Sequence, residues 1–389
     1  MSTDALLARA GELDAADPLA RWRDEFDTPD PDLAYLDGNS LGMPPRRTLA
    51  RVTTLLREGW AGELINGWDD WLDMPQRVGD LLAPLIGAQP GEVVVHDSVT
   101  VNVYQLVRAA LAINPTRRAI AIDPGDFPTD RYVVEGIAAA DGRDVRAGFD
   151  RLDDVAVVLR SMIDYRTAEI VDIAAETARM SDAGALVIWD LSHAAGVHPV
   201  GLRAAGAQLA VGCTYKFLNG GPGSPAFSYV ARELIDRIAN PIQGWFSQHD
   251  QFAMDNAYKP RGDIGRLLLG TPSIIALTAA QCGIEATAEA GIENIRTKSV
   301  ALGQFGLECC DTLGLRTSTP RDDARRGGHI CVHEPNAGEL TPRLFTERNV
   351  LADYRDPDVI RLGCSPLTTQ FVDIARATIA IAELRSSAA

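Results

Sequence analysis

Apolar side chains recur at helical spacing over about 47–60 and 74–86, and from residue 91 the rhythm changes. Short β-branched runs then alternate with longer stretches of helical period. Residues 91–95 predict a strand, and the polar residues His96 to Asn102 open a helix over about 101–112. Further strands are predicted over about 118–123, 155–159, 185–189 and 208–212, with 226–230 as a return strand. Two long helical stretches follow, at about 274–293 and 295–312. Beyond 313, strand-like runs such as 329–333 mix with helical ones.

This alternation predicts an α/β fold with a mostly parallel central sheet and a smaller α+β C-terminal domain. A chain of 389 residues exceeds what one simple core usually holds. The expected division is a large domain over 46–285, a small domain over 286–389, and an N-terminal segment, 1–45, packed with the small domain. In parallel α/β sheets ligands bind beyond the carboxyl ends of the strands, and the polar clusters of this chain follow its strands.

Composition excludes some functions. No apolar run approaches the roughly 20 residues of a membrane helix. The net charge of −16 argues against non-specific nucleic-acid binding. The acidic start, Met1 to Ala5, lacks the basic and apolar regions of a signal peptide, so a cytoplasmic protein is expected. The six cysteines form no Cys-x-x-Cys pair and the six histidines are scattered, which points to reduced thiols and no metal site.

Lysine narrows the chemistry further, because only Lys216, Lys259 and Lys298 occur. Lys216 lies in a small-residue loop, Thr214 to Gly223. It follows Asp190, the end of a predicted strand, by 26 residues. A pyridoxal phosphate (PLP) enzyme needs this layout: an amine to form a Schiff base, and a carboxylate to keep the pyridine nitrogen protonated. Thr100 and Val101, at a helix start, offer backbone N–H groups and a hydroxyl to a phosphate. Lys259 has no comparable setting, and Lys298, within a predicted helix, is expected to be solvent-exposed.

Several separated segments, in order, resemble the kynureninase family, PLP enzymes of fold type I in the aminotransferase class V group. They are Gly38-Asn39-Ser40-Leu41-Gly42, Phe127-Pro128-Thr129-Asp130, Asp190-Leu191-Ser192-His193-Ala194-Ala195-Gly196, Thr214-Tyr215-Lys216-Phe217-Leu218-Asn219, Gly244-Trp245-Phe246, Gly270-Thr271-Pro272 and Ile360-Arg361. The resemblance implies hydrolytic Cβ–Cγ cleavage of L-kynurenine or 3-hydroxykynurenine to anthranilate or its hydroxylated form and L-alanine, in tryptophan catabolism. It implies that Lys216 anchors PLP, that Asp190 pairs with the ring nitrogen, and that His193 lies beside the cofactor. It further implies that Phe127 stacks on the ring, that Thr129 and Asp130 contact it, and that Tyr215 touches the phosphate and moves protons. Arg361 would clamp the substrate's α-carboxylate, with Asn39 and Ser40 nearby. Trp245 and Thr271 would reach the phosphate of a neighbouring subunit, so a homodimer with shared active sites is implied.

The chain departs from the family's pattern at Ser247-Gln248-His249, at Thr368 in place of a tyrosine, and at Ala168 in place of a glycine. These positions are expected where a substrate's aromatic ring packs. The alternatives are another class V activity, namely a desulfurase acting through Cys364, a lyase or an epimerase, or a kynureninase-like enzyme for a modified substrate.

Overall fold

The computed structural model describes residues 2–28 and 30–386. The chain enters through the helix Thr3–Ala15 and a two-residue strand, β1 (Ala34–Tyr35). It then builds the central sheet from β2 (Val93–Val95), β3 (Ala119–Ile122), β4 (Asp144–Ala147), β5 (Val155–Ser161), β6 (Leu186–Asp190), β7 (Leu209–Gly212) and β8 (Phe227–Val230). The order across the sheet is β2-β8-β7-β6-β5-β3-β4. Strands β3 to β7 run parallel, and β8 and β2 close one edge antiparallel.

Both faces of this sheet are covered, which is why its strands read as unbroken apolar runs rather than as alternations. Val95, Ala121, Val158, Trp189 and Ala210 enter one hydrophobic core. Their neighbours Val94, Ile122, Leu159, Ile188 and Val211 enter another on the opposite face. The exception is β4, an edge strand whose residues are largely exposed. With one face in water, Asp144-Val145-Arg146-Ala147 carries no apolar run, and the sequence pattern does not announce it.

The second half adds the helices Ile274–Ala290 and Ile292–Leu313, then β9 (Arg316–Thr317), β10 (His329–His333), β11 (Val350–Leu351), β12 (Asp353–Arg355) and β13 (Val359–Gly363). β12, β13, β10 and β9 form an antiparallel sheet in that order, and β1 pairs in parallel with β11. Leu6, Ala10 and Leu36 share a core with Phe305, Ile330, Ile360 and Ile381. The Asp14 carboxylate accepts the free N–H groups of Phe371 (2.7 Å) and Val372 (3.0 Å), capping the helix Phe371–Ser386.

Lys298 is not exposed as its helix pattern predicts. Its amine lies 2.7 Å from the Asp17 carboxylate, with both side chains almost fully enclosed. The partner comes from the turn after the first helix, remote in sequence, so helical periodicity alone does not reveal it. No helix among the described residues is long and apolar enough to cross a membrane.

Candidate active site

The carboxyl ends of β2, β3, β5, β6 and β7 open into one cleft of about 350 Å³, closed from the other lobe by residues of β12 and β13. Its walls include Asn39, Ser40, Thr100, Phe127, Thr129, Asp130, Asp190, His193, Tyr215, Lys216 and Arg361, all singled out from the sequence. Segments spread over more than 300 residues therefore converge, as the strand-end rule for parallel sheets requires.

Asp190 ends β6, and one of its oxygens accepts the backbone N–H (2.8 Å) and hydroxyl (2.6 Å) of Ser192. Beside it Asp130 is buried, with one carboxyl oxygen lacking any partner among the described residues. Burial and the charge of Asp190 raise the Asp130 carboxyl well above the usual aspartate range. Lys216 Nζ lies 3.0 Å from His193 Nε2. Burial, reinforced by the charge of Lys216, keeps His193 neutral far below the usual histidine range. The rings of His193 and His329 are 5.7 Å apart, and burial pushes His329 down to about 3.

The loop carrying Lys216 is set by close backbone approach. Gly42 donates its N–H to the Tyr215 carbonyl (2.8 Å). A Cβ on Gly42 would come within 2.3 Å of the Lys216 carbonyl, so only glycine fits there. Burial, followed by the neighbouring Cys213 and Asp190, raises the Tyr215 phenol, so it remains a proton donor at neutral pH.

Phe127 is 40% exposed although it is a large apolar ring. It meets Tyr165 edge-on at 5.4 Å, and Lys216 Nζ lies 5.9 Å from its centroid. Its exposure, the orphaned Asp130 oxygen and the amine of Lys216 fit a planar, nitrogen-containing aromatic cofactor. The Ser98–Thr100 helix start fits an anionic group, although Val101 differs from expectation. Its N–H is taken by the Ser98 side chain (3.4 Å), so Thr100 and the preceding residues face the cleft instead.

Arg361, expected as the carboxylate clamp, lines the cleft and is held by its neighbours. It is 1% exposed, and its guanidinium is gripped by Asp353, with Nε donating at 2.7 Å and Nη2 also bonded there. Nη1 donates to the Tyr165 carbonyl (2.8 Å) and Nη2 to Ser40 Oγ (3.2 Å). With its amide oxygen and nitrogen exchanged, the orientation its surroundings require, Asn39 accepts from Arg361 Nε at 3.3 Å and Nη2 at 3.2 Å. Burial and the charge of Asp353 push the Asp37 carboxyl up to about 6. Arg355 lines the cleft as well. Asp353 and Arg355 were not among the expected site residues, because they belong to no segment with a sequence signal of its own, whereas Tyr165 opens the segment ending in Ala168 that was expected near the substrate's ring.

Trp245 and Thr271 do not line the cleft of their own chain; Trp245 is 44% exposed. Thr271 lines an adjoining depression that shares Asp97 and Gly223 with the cleft. Of the departing segments, Ser247 and Thr368 are buried away from the cleft, and only the turn beginning at Tyr165 touches it. In that turn Ala168 sits at φ +63°, a left-handed conformation that explains why a glycine suits the position. Cys364 is buried, and burial pushes its thiol up to about 12, the reverse of a reactive thiolate. Among the described residues no group of three or more His, Cys, Asp or Glu is placed to hold a metal ion.

Comparison with known proteins gives the chain's relatives and the source of its fold. Residues 295–381 match the sequence model of the kynureninase C-terminal domain. The chain is 40% identical over 383 residues to a kynureninase of Pseudomonas fluorescens, covering 93% of this chain and 91% of the relative. It is likewise 40% identical over 396 residues to a kynureninase of Deinococcus radiodurans, covering 97% and 95%. Among solved structures, a cysteine desulfurase from Thermococcus onnurineus NA1 superposes with a TM-score of 0.81 at 15% identity, over 95% of this chain and 98% of that one. The cystine C-S lyase C-DES, in complex with its product, gives 0.77 at 16% identity, over 91% and 98%. At such identities the structural likeness speaks for the fold.

Proposed function

Because the chain belongs to the kynureninase family, we propose that this cleft performs the hydrolytic Cβ–Cγ cleavage of a kynurenine-type amino acid, with Lys216 and Asp190 at its centre. The chain is a PLP-dependent hydrolase of carbon–carbon bonds. The observation that carries the reading is the convergence of Lys216, His193, Asp190 and Asp130 in one cleft facing the arginines of the other lobe. The buried, high-lying thiol of Cys364 speaks against a desulfurase.

Bound PLP supplies a conjugated ring that draws electrons from the substrate's Cα. The chain's own residues do the rest. Asp190, oriented by Ser192, takes the pyridine nitrogen as partner, and Phe127 covers a ring face. Thr129 and Asp130 would contact the ring, and Thr100 with the Ser98–Thr100 helix start would hold the phosphate. Lys216 Nζ anchors the cofactor and carries the proton at Cα. Neutral His193 keeps that amine aimed without locking it in an ion pair. Tyr215, still protonated, donates where charge develops. Arg361, Asn39 and Ser40 form the wall that receives the α-carboxylate.

We further propose a cytoplasmic homodimer in which Trp245 and Thr271 complete the partner's cleft. Large apolar side chains are bare around them: Ile65 is 76% exposed and Met254 is 70% exposed. Trp60, Ile65, Trp68 and Ile275 line an open apolar groove. Mixing Lys216→Ala with Trp245→Ala chains tests this, since a hybrid dimer with shared sites regains one intact cleft. No recovery of activity would exclude shared sites.

The decisive assay offers L-kynurenine and 3-hydroxykynurenine separately and detects anthranilate or 3-hydroxyanthranilate together with L-alanine by mass. Release of neither, from protein that has taken up PLP, overturns the reading.

A further inference from the structure

We infer that His329, behind the cleft wall, is a positioning residue. It holds the His193 ring with Nε2 open as an acceptor, so that Lys216 donates to that ring and keeps its lone pair free for the cofactor. The inference rests on the reading of Lys216 as cofactor anchor, and not on which substrate follows.

A glycine brings His329 there. A Cβ on Gly328 would come within 2.8 Å of Val197 and 3.0 Å of the Phe217 ring. Without one, the start of β10 presses against the two loops that carry His193 and Lys216. His329 opens β10 and is 1% exposed. Opposite it on β13 stands Gly363, and two residues earlier Arg361 opposes Cys331. The ring therefore shares a sheet face with Arg361 and stands behind the cleft wall rather than in it.

Neither nitrogen of His329 has a hydrogen-bond partner among the described residues, and neither does Nδ1 of His193. Three buried ring nitrogens without partners are costly, and they belong to rings whose centroids are 5.7 Å apart. A turn of either ring, or a single bridging water, joins the two. A neutral imidazole donates through one nitrogen and accepts through the other, so joining them fixes a direction. Burial, then Arg361, keeps His329 from taking a second proton, while Asp353 and the Tyr165 carbonyl favour protonation. The carbonyl draws the single N–H of His329 and leaves its other nitrogen as an acceptor for His193. His193 then carries its proton on Nδ1 and offers Nε2 to Lys216 Nζ at 3.0 Å. In the other tautomer Nε2–H would point at the amine and occupy its lone pair. Burial, then Lys216, His329, Arg361 and Arg355, all oppose a second proton on His193. The ring stays neutral, and its tautomer decides what Lys216 meets.

The test compares the full-length wild type with His329→Gln, which keeps a donor and an acceptor, and with His329→Leu, which keeps neither. Nitrogen NMR of PLP-free, histidine-labelled protein reads the tautomer, with the His193 signals identified by their loss in His193→Asn. Stopped-flow absorbance reads the rate at which the same protein captures PLP. The wild type and His329→Gln are expected to hold the His193 proton on Nδ1. His329→Leu should move it wholly or partly to Nε2 and capture PLP about 3- to 10-fold more slowly, the scale of one neutral hydrogen bond. Its kcat on L-kynurenine should fall by a similar factor at unchanged KM. A wild-type proton on Nε2, an unchanged tautomer in His329→Leu, or capture slowed less than threefold overturns the inference. So does a His329→Gln protein as slow as His329→Leu, which would make ring packing responsible. The wild-type tautomer needs no variant, so it judges the inference even if His329→Leu does not fold. If the loaded wild type releases no anthranilate, the functional reading fails, while tautomer and capture rate still judge His329.

Discussion

Lys216 and Lys298 are both withdrawn from bulk water, yet their surroundings differ in kind. Lys298 faces the Asp17 carboxylate at 2.7 Å, and neither side chain is more than 5% exposed. Lys216 has instead a neutral imidazole at hydrogen-bond distance, with unpaired acceptors and carboxyls around the same cleft. A buried ammonium matched to one carboxylate is fixed in place, and disturbing it exposes an uncompensated charge. An amine that must change bonding partners during turnover needs a weaker hold. Paired burial thus marks architecture in this chain, and incompletely satisfied burial marks chemistry.

The largest expected effect comes from breaking the chemical side. Lys216→Ala should lower kcat by at least about 10³-fold and abolish the cofactor's absorbance band, with a melting temperature close to that of the wild type. A strongly lowered melting temperature would mean that Lys216 is structural after all. On the other side, Asp17→Ala should cost about 3–5 kcal/mol in denaturant unfolding and leave kcat of the folded enzyme unchanged. A loss below about 1 kcal/mol would remove the contrast.

Asp126 sharpens the comparison with a carboxyl that lacks a matched cation. Burial, together with the nearby Asp123 and Asp190, pushes it up to about 7 despite two contacts from the Ser161 N–H. Its folded form keeps a proton that an unfolded aspartate loses near the ordinary value of 3.8. Between those limits the folded state binds more protons, so stability falls as pH rises toward 7 and levels off above it. Asp126→Asn should be more stable than wild type by a few kcal/mol at most at pH 8 and indistinguishable below pH 4. A gap that does not change with pH would refute this. The smallest effect belongs to Ala168→Gly, which relieves a left-handed alanine in the Tyr165 turn and should add up to about 1 kcal/mol. A clear loss of stability would assign the methyl group a packing role.

Much of the cleft is legible in the sequence because its parts are short and local. Asp190 ends an apolar strand, Lys216 is one of three lysines, and Phe127 opens a helix beside Thr129 and Asp130. What escaped notice depends on long-range placement. Asp353 gains meaning only opposite Arg361 across a β ladder, and Asp17 only against a lysine in a remote helix. Edge strand β4 carries no apolar face to detect. The left-handed backbone at Ala168 is invisible until the turn is folded, though a glycine expected at that position was its trace.

The parallel pairing of β1 with β11 also has a consequence for synthesis. Asn39 and Ser40 can reach Arg361 only once residues 350–363 exist, more than 300 positions later. A ribosome adding about 5–20 residues per second takes tens of seconds to cover that distance. Meanwhile the strands between Val93 and Val230 can already assemble. Residues 34–40 thus wait for residues 350–363 before they find their place, and the substrate end of the cleft is finished only after that later stretch has been made.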